Sequence, residues 1–255
     1  MLIAVTREVS SRIAECELTH LTRVPMDLER ARAQHRQYQA LLRELGCELI
    51  RLPAEPAMPD SVFVEDAAVV LDELAVIMRP GAPSRRAETA SVAAALKPYR
   101  DLFYIEVPGA LDGGDVLRLG KTLFVGQSQR SNAQGVEQLR RIVAGFGYHV
   151  VSVPLHGCLH LKSAVTPVTD DALLINRAWT DAQIFGAYRL IEVDPAEPFA
   201  ANALRIGATV IYPEAFPETR KRLEAQGVRV RTVDASELAK AEGGLTCGSL
   251  IFATN

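Results

Sequence analysis

Cysteine pairs are missing from this chain. Its four cysteines, at 16, 47, 158 and 247, lie far apart and form no C-x-x-C, which removes zinc knuckles and thioredoxin-like redox motifs. Reduced thiols are expected. An excess of charge is also missing: 28 basic and 31 acidic residues leave a formal net charge of −3, and basic residues gather no more densely than short runs such as Arg85-Arg86. Phosphate-backbone binding needs a concentrated basic surface, so no nucleic-acid partner is expected. No apolar run approaches the roughly 20 residues of a membrane span. The stretch Met1 to Arg7 has no basic region leading into a long apolar one. These features read as a cytoplasmic protein without a membrane partner. Neither G-x-G-x-x-G nor a Walker loop occurs, and no H-E-x-x-H supports a zinc hydrolase. No cofactor and no metal are expected.

What is present is a repeat. With 48% apolar and 23% charged residues and glycine and proline spread evenly, residues 1–255 read as one α/β domain. A helix is expected from Asp27, as N-cap, to Gly46, because Leu28, Ala31, Tyr38, Leu41, Leu42 and Leu45 fall at three- and four-residue steps. The strand Glu48 to Leu52 follows. Ala67 to Leu71 and Leu74 to Met78 read as a hairpin, then a helix from Ser84 to Leu96 and a strand from Leu102 to Val107. The same order recurs over Val116 to Val153, Leu161 to Val193 and Leu204 to Val233. Ser249 to Ala253 and Leu2 to Val5 supply two strands in front of the first helix. Five strand-strand-helix-strand units therefore begin near 67, 115, 161, 202 and 248. A period of about 40 to 48 residues whose last unit is shared between the termini favours a closed propeller over a doubly wound sheet.

Residues just ahead of each unit's first strand should then meet at the central axis. Those positions hold Asp66, Asp112 with Asp115, His160, Asn202 and Cys247. A thiol, an imidazole and carboxylates at one axis are the ingredients of nucleophilic catalysis. A lone cysteine is ordinarily a small buried residue, but Cys247 lies in Glu-Gly-Gly-Leu-Thr-Cys-Gly-Ser, where glycines permit close backbone approach. Cys158, two residues before His160, would on strand alternation face the same way as the histidine; packing is its expected role. The segment from Pro59 to Asp66 carries Asp60, Glu65 and Asp66, and carboxylates match a guanidinium fork two bonds at a time. Arg85 and Arg130 stand at like places in adjacent units, where they could clamp a substrate carboxylate. An α-amino acid with a distal guanidinium satisfies both halves.

Six stretches resemble the dimethylarginine dimethylaminohydrolases, members of the guanidino-group-modifying superfamily. They are Pro59 to Asp66, Arg79 to Arg86, Leu111 to Val116, Val125 to Asn132, His160 to Lys162 and Gly244 to Ser249. The resemblance implies the same five-bladed α/β propeller. It makes Cys247 the nucleophile, His160 the general acid and base, and Asp112 the carboxylate that orients the histidine. It places Asp60, Glu65 and Asp66 at the guanidinium, Arg85 and Arg130 at the α-carboxylate, and the backbones of Leu18 and Ala241 at the α-amino group. The implied reaction is hydrolysis of N-methylated arginine to citrulline and an alkylamine through a covalent thiouronium. An arginine deiminase, or a hydrolase of another substituted guanidine, is the alternative. The exposed face of the helix at 27 to 45 leaves room for a homodimer.

Overall fold

The computed structural model describes residues 1–254. The chain runs through β1 (Leu2–Arg7), α1 (Leu28–Glu44), β2 (Cys47–Leu52), β3 (Ala68–Val70), β4 (Leu74–Ile77), α2 (Thr89–Leu96) and β5 (Asp101–Tyr104). It continues through β6 (Val116–Leu119), β7 (Thr122–Gln127), α3 (Ala133–Ala144), β8 (His149–Pro154), α4 (Leu161–Ala164), β9 (Val165–Pro167), β10 (Ala172–Ile175) and β11 (Arg189–Glu192). The last elements are β12 (Leu204–Ile206), β13 (Thr209–Pro213), α5 (Pro217–Ala225), β14 (Arg229–Val233), α6 (Ser236–Ala239) and β15 (Leu250–Ala253).

The strands form five three-stranded sheets, ordered β15-β1-β2, β3-β4-β5, β6-β7-β8, β9-β10-β11 and β12-β13-β14. In each, the first two strands pair antiparallel and the last two parallel. A parallel pair needs a crossover, which is why a helix separates the second and third strands of a unit. In the β9-β10-β11 unit that crossover has shrunk to the 3-10 turn Ala182–Phe185. Central strands such as Leu74–Ile77 and Ala172–Ile175 are buried at every residue, as expected for strands covered on both faces. Asp27 caps α1 by accepting from the Arg30 amide, and Asn132 caps α3 by accepting from that of Gly135. This is the five-bladed α/β propeller anticipated from the repeat. Some boundaries differ: Pro83–Glu88 is a 3-10 turn before α2 begins, β5 stops at Tyr104, three residues short of Val107, and the unit expected from Leu161 opens with the short helix α4, its first strand starting at Val165.

Each boundary between neighbouring sheets has its own apolar cluster. Leu74, Val76, Leu123 and Val125 meet between the β3-β4-β5 and β6-β7-β8 units, and Leu174, Ile191, Val210 and Tyr212 meet two units further on. Near the axis the units are clasped side chain to next unit. Asp66 Oδ1 accepts from Gly114 N at 3.0 Å, Asp115 Oδ1 from Leu161 N at 3.0 Å, Thr166 Oγ1 from Ala203 N at 3.0 Å, and Asn202 Oδ1 from Thr246 N at 3.1 Å. The ring closes where Thr246 Oγ1 donates to Glu65 Oε2 at 2.7 Å. These clasps satisfy backbone amides that the strand ladders leave over, and they fix the axial side chains as a by-product.

Candidate active site

The reactive groups come from three units. His160 immediately precedes α4, Asp112 lies in the turn before β6, and Cys247 in the 3-10 turn Thr246–Gly248 before β15. His160 and Cys247, more than eighty positions apart, line one narrow cavity together with Asp60, Asp66, Arg85, Arg130 and Ala241. Asp112 stands behind the imidazole, fully buried: its Oδ2 is 3.0 Å from His160 Nε2 and its Oδ1 accepts from Gly81 N at 2.8 Å. On the other side of the ring, Nδ1 lies 3.7 Å from Asp66 Oδ1.

The electrostatics raise both reactive groups, for different reasons. Burial works against the His160 imidazolium, but the charge of Asp66, the hydrogen bond to Asp112 and the charges of Asp115 and Asp112 outweigh it, raising the histidine to about 9. Burial, then the charges of Glu65 and Asp66, push the Cys247 thiol up to about 12. Gly244 N donates to Sγ at 3.3 Å. At neutral pH this leaves His160 as an imidazolium and Cys247 as a neutral thiol. Asp66, Asp112 and His160 offer atoms close enough to surround a cation, yet Arg85 and the histidine proton already supply the positive charge these carboxylates need.

Arg85 is more occupied than a carboxylate clamp should be. Its Nη1 donates to Asp66 at 2.6 Å, Nε and Nη2 to Glu88 at 3.2 and 2.9 Å, and Nη2 also to the carbonyls of Phe63 and Asp60. A guanidinium has five N–H groups, so one Nη1 hydrogen is left for a ligand. Arg130 makes one side-chain hydrogen bond, from Nη2 to Thr19 Oγ1 at 2.9 Å. Glu65 is outside the cavity wall: Lys162 Nζ donates to its Oε1 at 2.5 Å, and its Oε2 takes the Thr246 clasp. Asp60 accepts from the Glu17 amide on both oxygens, at 3.2 and 3.1 Å. Leu18, next along, is half-buried and packs in the apolar cluster that includes Cys247, but its side chain does not line the cavity.

Strand alternation misplaces Cys158. Residues 156–160 are not in a strand, Gly157 takes a left-handed φ of +66°, and the thiol faces a neighbouring apolar cavity of about 280 Å³ rather than the catalytic one. Burial, with the charge of Asp115, pushes it up to about 12. Sequence reasoning did not single out Asp115 as an anchor: buried, it accepts from the Leu161 amide next to His160 and from the hydroxyls of Ser128 and Ser131, which bracket Arg130. It also passed over Glu242, whose carboxylate holds the amides of residues 19–21. Glycine is required beside the imidazole, since a Cβ at Gly114 would sit 2.6 Å from His160 Nδ1.

Known proteins carry the same plan. The family described as "N,N dimethylarginine dimethylhydrolase, eukaryotic" matches residues 20–176. The N(G),N(G)-dimethylarginine dimethylaminohydrolase of Streptomyces coelicolor is 39% identical over 249 residues, covering 97% of this chain and 95% of that protein. The Pseudomonas aeruginosa enzyme of the same name is 34% identical over 228 residues, covering 89% and 90%. A solved structure of the Pseudomonas aeruginosa enzyme, a Cys-to-Ser mutant complexed with citrulline, superposes with a TM-score of 0.93 over 98% of both chains at 32% identity. A dimethylarginine dimethylaminohydrolase His-to-Gly variant, as its adduct with S-methyl-L-thiocitrulline, does so at 0.92 and 32% identity, covering 99% of this chain and 100% of that one. With more than half the chain matched to the family and near-complete coverage by relatives above 30% identity, this chain belongs to the dimethylarginine dimethylaminohydrolase family, C–N hydrolases of the guanidino-group-modifying superfamily.

Proposed function

We propose that this enzyme hydrolyses N-methylated L-arginine, the asymmetric dimethyl and monomethyl forms, to L-citrulline and dimethylamine or methylamine. The observation that carries the reading is the shared cavity of Cys247 and His160, walled by Asp60 and Asp66 and reached by Arg130. A citrulline-bound relative supports the choice of product.

The guanidinium lies against Asp66 and the thiol, with Glu65 contributing its charge from behind. Its α-carboxylate takes Arg130 and the remaining N–H of Arg85, and its ammonium group takes the backbone oxygens of Leu18 and Ala241. A cation beside Sγ favours the thiolate, so substrate lowers the thiol from about 12 and a proton leaves to solvent. The thiolate adds to the guanidinium carbon. As the tetrahedral adduct collapses, the C–N bond breaks and the His160 imidazolium protonates the departing amine, leaving a thiouronium on Cys247. Water then adds to that carbon while neutral His160 takes its proton; the C–S bond breaks and citrulline is released. Asp112 keeps Nε2 engaged so that Nδ1 faces the chemistry.

The test is incubation of the chain with dimethylarginine, monomethylarginine, arginine and agmatine, measuring ureido product and released amine. Methylated arginines should turn over without added metal or cofactor, and Cys247→Ser should abolish it. One methyl group in an apolar pocket is worth only about 1–3 kcal/mol, so the ratio between the methylated and unmethylated substrates is the informative number. Arginine turning over fastest, with ammonia released, replaces this reading with a deiminase.

A further inference from the structure

Glu242 is the only non-glycine residue with a left-handed backbone among those described, at φ +59°. A side chain with a Cβ is disfavoured there, and such strain persists only where the surroundings over-determine it. The residue sits between Ala241 and Gly243 on the loop that leads to Cys247, and its side chain lines the catalytic cavity. Its carboxylate receives three successive amides of another segment: Thr19 N at 3.1 Å to each oxygen, His20 N at 2.5 Å and Leu21 N at 2.6 Å to Oε1. Consecutive N–H groups turned to one point form an anion nest, here filled by the protein's own carboxylate.

Segment 17–23 has no regular secondary structure of its own. Its other anchors include the Glu17 amide on Asp60, Glu17 Oε1 accepting from Ser84 Oγ at 2.5 Å, and Arg130 on Thr19 Oγ1. Asp60 and Arg130 are groups the substrate itself would use, so these two ties compete with, or are completed by, the ligand. The Glu242 nest is used by no reacting group.

We propose that Glu242 is a positioning residue, a latch that holds segment 17–23 closed over the catalytic cavity, with its left-handed backbone offset by the three amide bonds. The proposal rests on the hydrolytic reading above for its kinetic consequence, though not for the latch itself. Closing a segment over a site excludes water and commits the substrate without entering the chemical step. Loss of the latch should therefore raise KM and leave kcat nearly intact.

The experiment is amide hydrogen exchange on the substrate-free full chain, comparing wild type with Glu242→Gln and Glu242→Gly, alongside steady-state kinetics on dimethylarginine. Glycine removes the carboxylate while relieving the backbone strain, so that variant keeps the fold. Amides of 19–21 should exchange about 10-fold faster or more in both variants while the propeller strands are unchanged. KM should rise about 10-fold with kcat within about threefold. Wild-type exchange at 19–21 in both variants would overturn the latch, and so would a collapse of kcat at unchanged KM. A wild-type chain inactive on every methylated arginine sinks the hydrolytic reading instead, and the exchange data still decide the latch.

Discussion

At the scale of single residues, the site keeps a proton on both the histidine and the cysteine before substrate binds. His160 is held at about 9 and Cys247 at about 12, so the acid that releases the amine is ready before substrate arrives and the nucleophile is not. Asp112→Asn removes the negative charge that, through its hydrogen bond to Nε2, favours the imidazolium. The alkaline limb of the kcat profile should then move to lower pH, and kcat should fall about 100-fold or more, as read from pH-rate curves of the two proteins. The same raised pKa links to stability. A histidine near 6.5 unfolded and about 9 folded contributes stability fully present below pH ~6.5, and that contribution is lost as pH rises through 9. Urea midpoints should fall between those values in wild type and change less in His160→Gln. Gly114→Ala tests the packing: the new Cβ would lie 2.6 Å from His160 Nδ1 and 2.7 Å from Asp66 Oδ1. A displaced imidazole should lower kcat about 100-fold while the far-UV spectrum stays that of wild type.

At the scale of elements, the units are joined by polar clasps as well as apolar faces. Asn202 shows how much one clasp carries. It accepts from Thr246 N at 3.1 Å and donates to Thr246 Oγ1 and Lys162 O at 3.0 and 2.9 Å, bridging three units at the residue before Cys247. Asn202→Ala strands a buried amide and a carbonyl, at a cost of about 2 kcal/mol. The melting temperature should drop by about 4–8 °C, and activity should fall further than the loss of folded protein explains, because the Cys247 turn loses its anchor. A melt unchanged from wild type would show the clasp to be incidental.

The whole molecule is a ring closed across its ends. β1 pairs antiparallel with β15, and Thr254 N donates to Met1 O at 2.8 Å. No helix among the described residues is long and apolar enough to cross a membrane. Since the fifth unit is divided between the two ends, the ring has no privileged start. Residues 254 and 1 joined through a short flexible linker, with the chain reopened in the exposed turn Gly207-Ala208 between β12 and β13, should give a permuted protein. It should keep the wild-type circular dichroism and retain turnover; a molten or aggregated permutant would mean that closure at β1–β15 is needed early.

How much of this was legible in the sequence follows from what is local. Burial periodicity, turn residues and caps act over a few positions, so the five units, the Asp27 cap and the meeting of Asp66, Asp112, His160 and Cys247 were readable from spacing. At the site, what spacing misses is side-chain direction and partners. Cys158 was given strand alternation, but Gly157 turns it away, and nothing in the spacing shows that Asp66 and Glu88 take most of the donors of Arg85. Glu242 carried no signal at all, because its partners lie more than two hundred residues away along the chain. By itself the sequence determined which chemical groups are present and, through its repeat, the expectation that they meet at one axis. Which N–H meets which carboxylate, and therefore which groups remain free for a ligand, was decided only by tertiary structure, since hydrogen-bond saturation depends on neighbours that spacing along the chain does not encode.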